Sequence, residues 1–297
     1  MKKYYITTPI YYVNDKPHIG HAYTTILADT LSRFRDLIGD TSFFLTGLDE
    51  HGLKVQQAAE KNGVTPAVHC DTMAPAFIEL WEKLNINYSD FIRTTEKRHI
   101  KIVQSILNQV YKNGDIYQDE YEGWYSISEE RFITEKEVES GLFGQVKKIK
   151  EKNYFFKMSK YQSALIEKIE SDELSIQPKS RKNEVLGFLK NDLSDLCISR
   201  PKSRLEWGIE IPFDKDYVTY VWFDALINYI SAPKYLEDNK VFDLHWPADV
   251  HLIGKDILTT HSVYWPTMLM ALNLPLPKAI FAHGWWLTDD KKMSKSL

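Results

Sequence analysis

Strand-like and helix-like segments alternate at both ends of this 297-residue chain, and that alternation most narrows the folds open to it. Residues 4–8 are β-branched and aromatic, which favours a strand. Ile26, Leu27, Leu31, Phe34, Leu37 and Ile38 then recur at helical spacing, with Gly39 where a stop belongs. Residues 42–45 form a second short strand. Thr65-Pro66 pairs an N-cap with proline at the first helical position, and Pro75 interrupts that helix or starts the next. Val103, Ile106, Leu107 and Val110 make a further apolar stripe, closed by Asn113-Gly114. Beyond residue 213 the alternation resumes, as strand 218–222, helix 224–230, strand 250–253, helix 257–272 and strand 279–282. Between them, 116–213 mixes short aromatic strands (121–127, 154–156) with helices (161–169, 181–189) among crowded charges. The expectation is one α/β domain on a parallel, Rossmann-like nucleotide-binding sheet. Its halves, 1–115 and 214–297, are split by an inserted mixed α+β connective subdomain at 116–213.

With 43% hydrophobic and 26% charged residues, the balance is that of an ordinary globular chain. A formal charge of -4 argues against a surface built wholly for nucleic acid, though not against a local basic groove. The two cysteines, Cys70 and Cys197, are too few for a disulfide scaffold or a four-cysteine zinc site, and two buried thiols in a reducing compartment are expected. Lys2 and Lys3 precede no apolar signal segment, and no apolar run is long enough to span a membrane. A cytoplasmic location without membrane contact is expected; no oligomeric state follows from the sequence.

Four polar clusters stand at or just past the ends of the expected strands: residues 14–21, Gly47-Leu48-Asp49-Glu50-His51-Gly52, Gly254-Lys255-Asp256 and His283-Gly284. Ligands of open α/β sheets bind outside the carboxyl ends of the strands, so the four should converge on one cleft. His18-Ile19-Gly20-His21 opens the first helix, where the backbone and the helix dipole favour a phosphate and a glycine permits close approach. Alone, the histidine pair is equally a surface feature or half of a metal site. Lys292-Met293-Ser294-Lys295-Ser296 could clamp charge on a transferring phosphoryl group, or be a solvated basic turn.

Together, and in this order, the two motifs resemble the signature pair of class I aminoacyl-tRNA synthetases. Neighbouring stretches are similar to the methionyl branch of that family: Thr8-Pro9-Ile10-Tyr11-Tyr12-Val13-Asn14, Asp49-Glu50-His51-Gly52, Glu122-Gly123-Trp124-Tyr125, Asn153-Tyr154-Phe155-Phe156, Tyr220-Val221-Trp222-Phe223-Asp224-Ala225 and Gly254-Lys255-Asp256-Ile257. The resemblance covers the whole chain. It implies ATP-dependent activation of L-methionine to methionyl-adenylate, with release of pyrophosphate accompanied by Mg²⁺, and transfer to the 3′ end of tRNA(Met) in the full-length enzyme. Asp49 would take the methionine ammonium, with the Ile10 backbone beside it. Tyr12, Trp222, Leu226, Tyr229, His261 and Trp265 would surround the thioether, although without the resemblance these aromatics read as plain core. ATP would lie across His18, Gly20 and His21, with Lys255 and Asp256 near the ribose and His283, Gly284 and Trp285 at the adenine. His18, His21, Lys292 and Lys295 would stabilise the transition state. No metal-binding spacing involves Asp49 or His51.

The sequence departs from many family members in the insert. Residues 124–130 and 141–145 contain no cysteine, so no structural zinc is expected. The insert also looks too short for the hydrolytic editing domain of the leucyl, isoleucyl and valyl relatives. Ending just after the lysine-serine motif implies a fragment lacking the stem-contact and anticodon-binding domains. The alternatives are another nucleotidyltransferase of the same superfamily, which methionine-dependent ATP–pyrophosphate exchange would separate, and a silent synthetase-derived binding module.

Overall fold

The computed structural model describes residues 2–126, 131–133, 135–139, 141, 145–285, 287–288 and 291–292. Its centre is a six-stranded parallel sheet. In chain order the strands are β1 (Lys3–Tyr12), β2 (Thr41–Asp49), β3 (Asp90–Arg93), then, after the insert strands β4 (Ile116–Ser126), β5 (Arg131–Ile133) and β6 (Val146–Phe156), β7 (Ser175–Gln177). Four short strands follow, β8 (Leu196–Cys197), β9 (Ser199–Pro201), β10 (Glu210–Ile211) and β11 (Asp214–Thr219), before β12 (Val250–Gly254) and β13 (Ala279–His283). The sheet order is β3-β2-β1-β12-β13-β7. The early strands run outward from β1 in one direction and the late strands from β12 in the other. The β1–β12 seam is therefore the switch point, where parallel sheets open a crevice at their carboxyl ends.

Parallel strands need crossovers, which cover both faces. The helices are α1 (Ile19–Leu37), α2 (Leu53–Lys61), α3 (Pro66–Lys83), α4 (Lys97–Lys112), α5 (Glu135–Glu139), α6 (Gln162–Glu170), α7 (Lys179–Phe188), α8 (Val221–Leu226), α9 (Asn228–Ser231), α10 (Asn239–His245) and α11 (Trp265–Ala271). Alternation along β1 divides its side chains between the faces. Tyr5 packs with Leu45, Ile92 and the α4 residues Ile102, Val103 and Ile106. Tyr4 and Ile6 pack with Phe44, Leu252 and Ala28 of α1. Near the carboxyl end, Tyr11 and Leu48 meet Phe77 and Trp81 of α3.

The segment 116–213 contains the β4–β6 antiparallel ladder, whose sheet runs β5-β4-β6-β8. Part of the segment also joins the main sheet, where β7 pairs in parallel with β13 through Ile176 and Ile280. Buried Ile176 makes that edge continuous with the core, so the insert and the α/β domain share packing.

Four local expectations change. Residues 218–222 are not a strand of the parallel sheet. β11 ends at Thr219 in a small antiparallel sheet with β9 and β10, and α8 starts at Val221. The strand-favouring aromatics there are placed by tertiary packing, which overrides propensity. Residues 257–272 are not one α-helix. A 3₁₀ turn, Lys255–Ile257, leads into a π-turn, Thr260–Tyr264, and then α11, because Pro266 lacks the N–H that an α ladder would need. Pro75 neither stops α3 nor starts a helix, but lies inside it. Lastly, Trp265 is fully buried behind the sheet-end cavity, with its indole N–H donating to His251 Nε2 at 3.1 Å. No helix of the described residues is long and apolar enough to cross a membrane.

Candidate active site

A cavity of about 1090 Å³ opens over the β1–β12 seam. Ile10, Tyr12, His18, Gly20, His21, Asp49, Trp222, Leu226, Tyr229, Asp256, His261, His283, Gly284 and Trp285 all line it. All four polar clusters therefore contribute to one space, the second through Asp49. Strand ends do the positioning. Tyr12 and Asp49 are register partners at the ends of β1 and β2, and Gly254 pairs with His283 at the ends of β12 and β13. The register of β1 against β2 shifts between Thr7 and Ile10, where Pro9 cannot donate to a ladder. The bulge turns the Pro9-Ile10 backbone into the wall.

The histidine motif has a local geometry fixed by its own helix. His18 caps α1, with its Nδ1 accepting from the Gly20 N–H at 3.0 Å. His21 reaches back, its Nδ1 accepting from the His18 N–H at 3.3 Å. This is a reciprocal cap. Since each Nδ1 accepts from a backbone N–H, the proton of each neutral ring resides on Nε2. Both rings are thereby set as hydrogen-bond donors at a helix N-terminus, the arrangement a phosphate needs. The rings stack at 3.7 Å, and Tyr11 lies 4.6 Å from the His21 ring. Gly20 has a steric role as well, since a Cβ there would come within 2.9 Å of the His18 ring.

On the opposite side, His283 donates from Nδ1 to the Gly284 carbonyl at 2.8 Å. Its Nε2 meets the Thr24 hydroxyl at 2.7 Å, joining β13 to α1 across the cavity mouth. The Trp285 indole donates to Asp256 at 2.8 Å. Lys255 does not line the cavity; its ammonium lies 3.5 Å above the Trp285 ring.

The apolar end is built from neutral groups. His261 Nδ1 donates to the Ile257 carbonyl at 2.9 Å, so Nε2 accepts from the Tyr229 hydroxyl at 2.7 Å. Burial holds the imidazole down to about 4, although the Ile257 carbonyl pulls upward. Trp222 approaches the same ring edge-on at 6.4 Å. The result is a slot of aromatic faces without a charge in its wall, closed on the sheet side by Asp49, which is 4% exposed.

That neutrality has a measurable consequence. Above pH 6.5, the ordinary value for histidine, both the folded and unfolded chains carry a neutral ring. As pH falls from 6.5 to 4 the unfolded chain binds a proton the folded one refuses, so stability falls with pH. The loss is complete below the folded value and is about 3 kcal/mol at roughly 1.4 kcal/mol per unit. His261→Gln is expected to show a shallower fall in Tm between pH 6.5 and 4.5 than the parent chain. Parallel melting curves would contradict this assignment.

Residues 293–297, including Lys295, lie outside the described residues. For Lys292 only the backbone is described, pairing with Leu287. Residues 127–130 and 142–144, within the two cysteine-free stretches of the insert, also lie outside. Among the described residues no group of three or more His, Cys, Asp or Glu could hold a metal ion. Cys70 donates to the Glu50 carbonyl at 3.6 Å, and burial together with Glu50 pushes its thiol up to about 12. Cys197 contacts Arg200 at 3.4 Å.

Some lining residues carried no sequence signal of their own. Thr24 and Asn228 line the cavity but look like ordinary helix residues. Thr24 does lie one turn past Gly20, whose carbonyl its hydroxyl meets at 3.2 Å, and the helical period alone could have placed it beside the motif.

The family model described as "tRNA synthetases class I (M)" matches residues 4–142 and 139–297. A methionine–tRNA ligase of Clostridium acetobutylicum is 54% identical over 99% of the chain and 46% of its own length. The chain thus spans about half the length of such relatives. Among solved structures, Mycobacterium tuberculosis methionyl-tRNA synthetase in complex with methionyl-adenylate aligns with a TM-score of 0.94 and 42% identity, covering 100% of this chain and 60% of that one. The free form of that enzyme gives 0.80 and 39%, covering 96% and 56%. With its parallel sheet, its sheet-end cavity and these whole-chain matches, the chain belongs to the methionyl-tRNA synthetase family of class I synthetases.

Proposed function

We propose that this chain binds L-methionine and ATP and joins them as methionyl-adenylate, releasing pyrophosphate. In the whole protein the methionyl group would then pass to the 3′ end of tRNA(Met). The observation that carries this reading is one continuous cavity with two chemically distinct ends. At one end a buried carboxylate, Asp49, adjoins a neutral slot lined by Trp222, Leu226, Tyr229 and His261. At the other, His18 and His21 stand as Nε2–H donors at the start of α1.

Each end suits one substrate. Asp49 takes the methionine ammonium, with the Ile10 backbone alongside. The thioether has no strong polar handle, so the neutral aromatic wall selects it by shape and sulfur–aromatic contact. Trp265 acts from behind, packed 5.8 Å from Tyr229. The triphosphate lies along His18, Gly20 and His21, with Asp256 toward the ribose and His283, Gly284 and Trp285 toward the adenine. Lys255 reaches the nucleotide once it leaves the Trp285 ring. ATP enters as its magnesium complex, so the ion belongs to the substrate. The methionine carboxylate is ionised at neutral pH and attacks the α-phosphate without a general base. Catalysis is positioning and charge stabilisation, by His18 and His21 from α1 and by Lys292 and Lys295 from the final motif. The similarity to the adenylate-bound relative supports this placement of both substrates. The same reading takes 1–115 and 214–297 as halves of one catalytic domain, 116–213 as a connective insert without zinc, and the cytoplasm as the site of action.

Amino-acid-dependent ATP–pyrophosphate exchange tests it, run with methionine, leucine, cysteine and isoleucine in turn. Methionine is expected to drive exchange at the lowest concentration. If leucine or cysteine drove it better, the pocket assignment would be wrong.

A further inference from the structure

Behind the methionine end of the cavity lies a buried polar relay not used in the mechanism above. Asp224, on α8, is 1% exposed, and its two oxygens are each taken by a histidine. His51 Nδ1 meets one oxygen at 2.7 Å, and His99 Nε2 of α4 meets the other at 2.7 Å. His99 Nδ1 continues to the Ser231 hydroxyl of α9, again at 2.7 Å. His51 is 5% exposed and His99 and Ser231 are fully buried. Isolating a carboxylate from water this far is costly unless both oxygens are well bonded. Burial pushes Asp224 up, but the facing His51 and His99 outweigh it and hold the carboxyl below its ordinary value.

The relay joins the two walls of the slot. His51 sits two residues beyond Asp49, and Asp224 sits between Trp222 and Leu226. Separate anchors hold each side. Glu50, between Asp49 and His51, is fully buried; it bonds Arg93 at 2.7 Å, and its carbonyl accepts the Trp207 indole N–H. His99 ties α8 back to α4. His51–Asp224 bonds the Asp49 turn directly to the Trp222–Leu226 wall.

We propose that Asp224, clasped by His51 and His99, is a positioning residue that sets the gap between the Asp49 carboxylate and the Trp222–Leu226 wall, and so the affinity for methionine. This rests on the assignment of the slot to methionine. Neither histidine reaches the triphosphate end, so loss of the relay acts on one substrate.

Calorimetric titration of the 297-residue chain with methionine and, separately, with ATP provides the test, alongside exchange kinetics. In Asp224→Ala the methionine Kd and KM should rise about tenfold or more, the scale of one lost buried hydrogen bond to a charged group. ATP affinity and kcat should stay within about twofold. Asp224→Asn should recover most of the loss, because an imidazole can change tautomer to accept from the amide. If Asp224→Ala does not fold, His99→Gln carries the same expectation. A folded variant with unchanged methionine affinity, or with equal losses for methionine and ATP, would overturn the proposal. Failure of the parent chain to bind methionine would instead sink the slot assignment, and this proposal with it.

Discussion

Replacing Asp49 with alanine is expected to raise the methionine Kd by about 10²–10³. Removing one partner of a buried ion pair costs roughly 3–5 kcal/mol, most of it the penalty of leaving the other charge unpaired. Asp49 is 4% exposed at the end of β2, so water cannot replace it at the ammonium. The control is a methionine analogue without its amino group. It should bind the parent chain weakly, and Asp49→Ala should weaken it no further. The two losses then fail to add, the signature of direct contact. A variant that lost equally against methionine and the deaminated analogue would place Asp49 in a purely structural role.

His21→Ala is expected to lower kcat for adenylate formation by about 10²–10³, the usual cost of one pre-aimed donor to developing charge, with little change in the KM for ATP. The donor is pre-aimed because its Nδ1 already accepts from the His18 N–H at 3.3 Å and its ring rests against His18 and Tyr11. His21→Asn keeps the cap but shortens the reach, so it should retain stability and lose rate. A change confined to KM would mean that the imidazole binds ground-state phosphate only. Lys295→Ala should behave as His21→Ala does, on the strength of the family motif alone.

Much of this site was legible in sequence because it is built at strand ends. An alternating pattern fixes where strands stop, and parallel topology brings those stops to one edge of the sheet. Asp49, Asp256 and His283 stand at or just past such stops, and His18 and His21 open the helix that follows the first strand, so their convergence followed from chain order without any contact being known. Glycine was legible too, although the steric reason at Gly20 was not: the His18 ring folds back over it.

What the sequence by itself determined is the α/β alternation, the four polar clusters and the resemblance of motifs along the chain. Tertiary structure alone decided the rest. Residues 220–222 favour a strand locally yet enter a helix, because α8 must carry Trp222 to the cavity and Asp224 to the core. Trp265 is aromatic and in helical step with His261, but it lies behind the wall, where His251 takes its N–H. β7, within the insert, completes the edge of the main sheet. The His51–Asp224–His99 bonds join positions 173 and 125 residues apart. Periodicity reports only the face on which a side chain sits. Which distant groups share that face is set by packing, and for a buried carboxylate it is set by the need to satisfy both oxygens away from water.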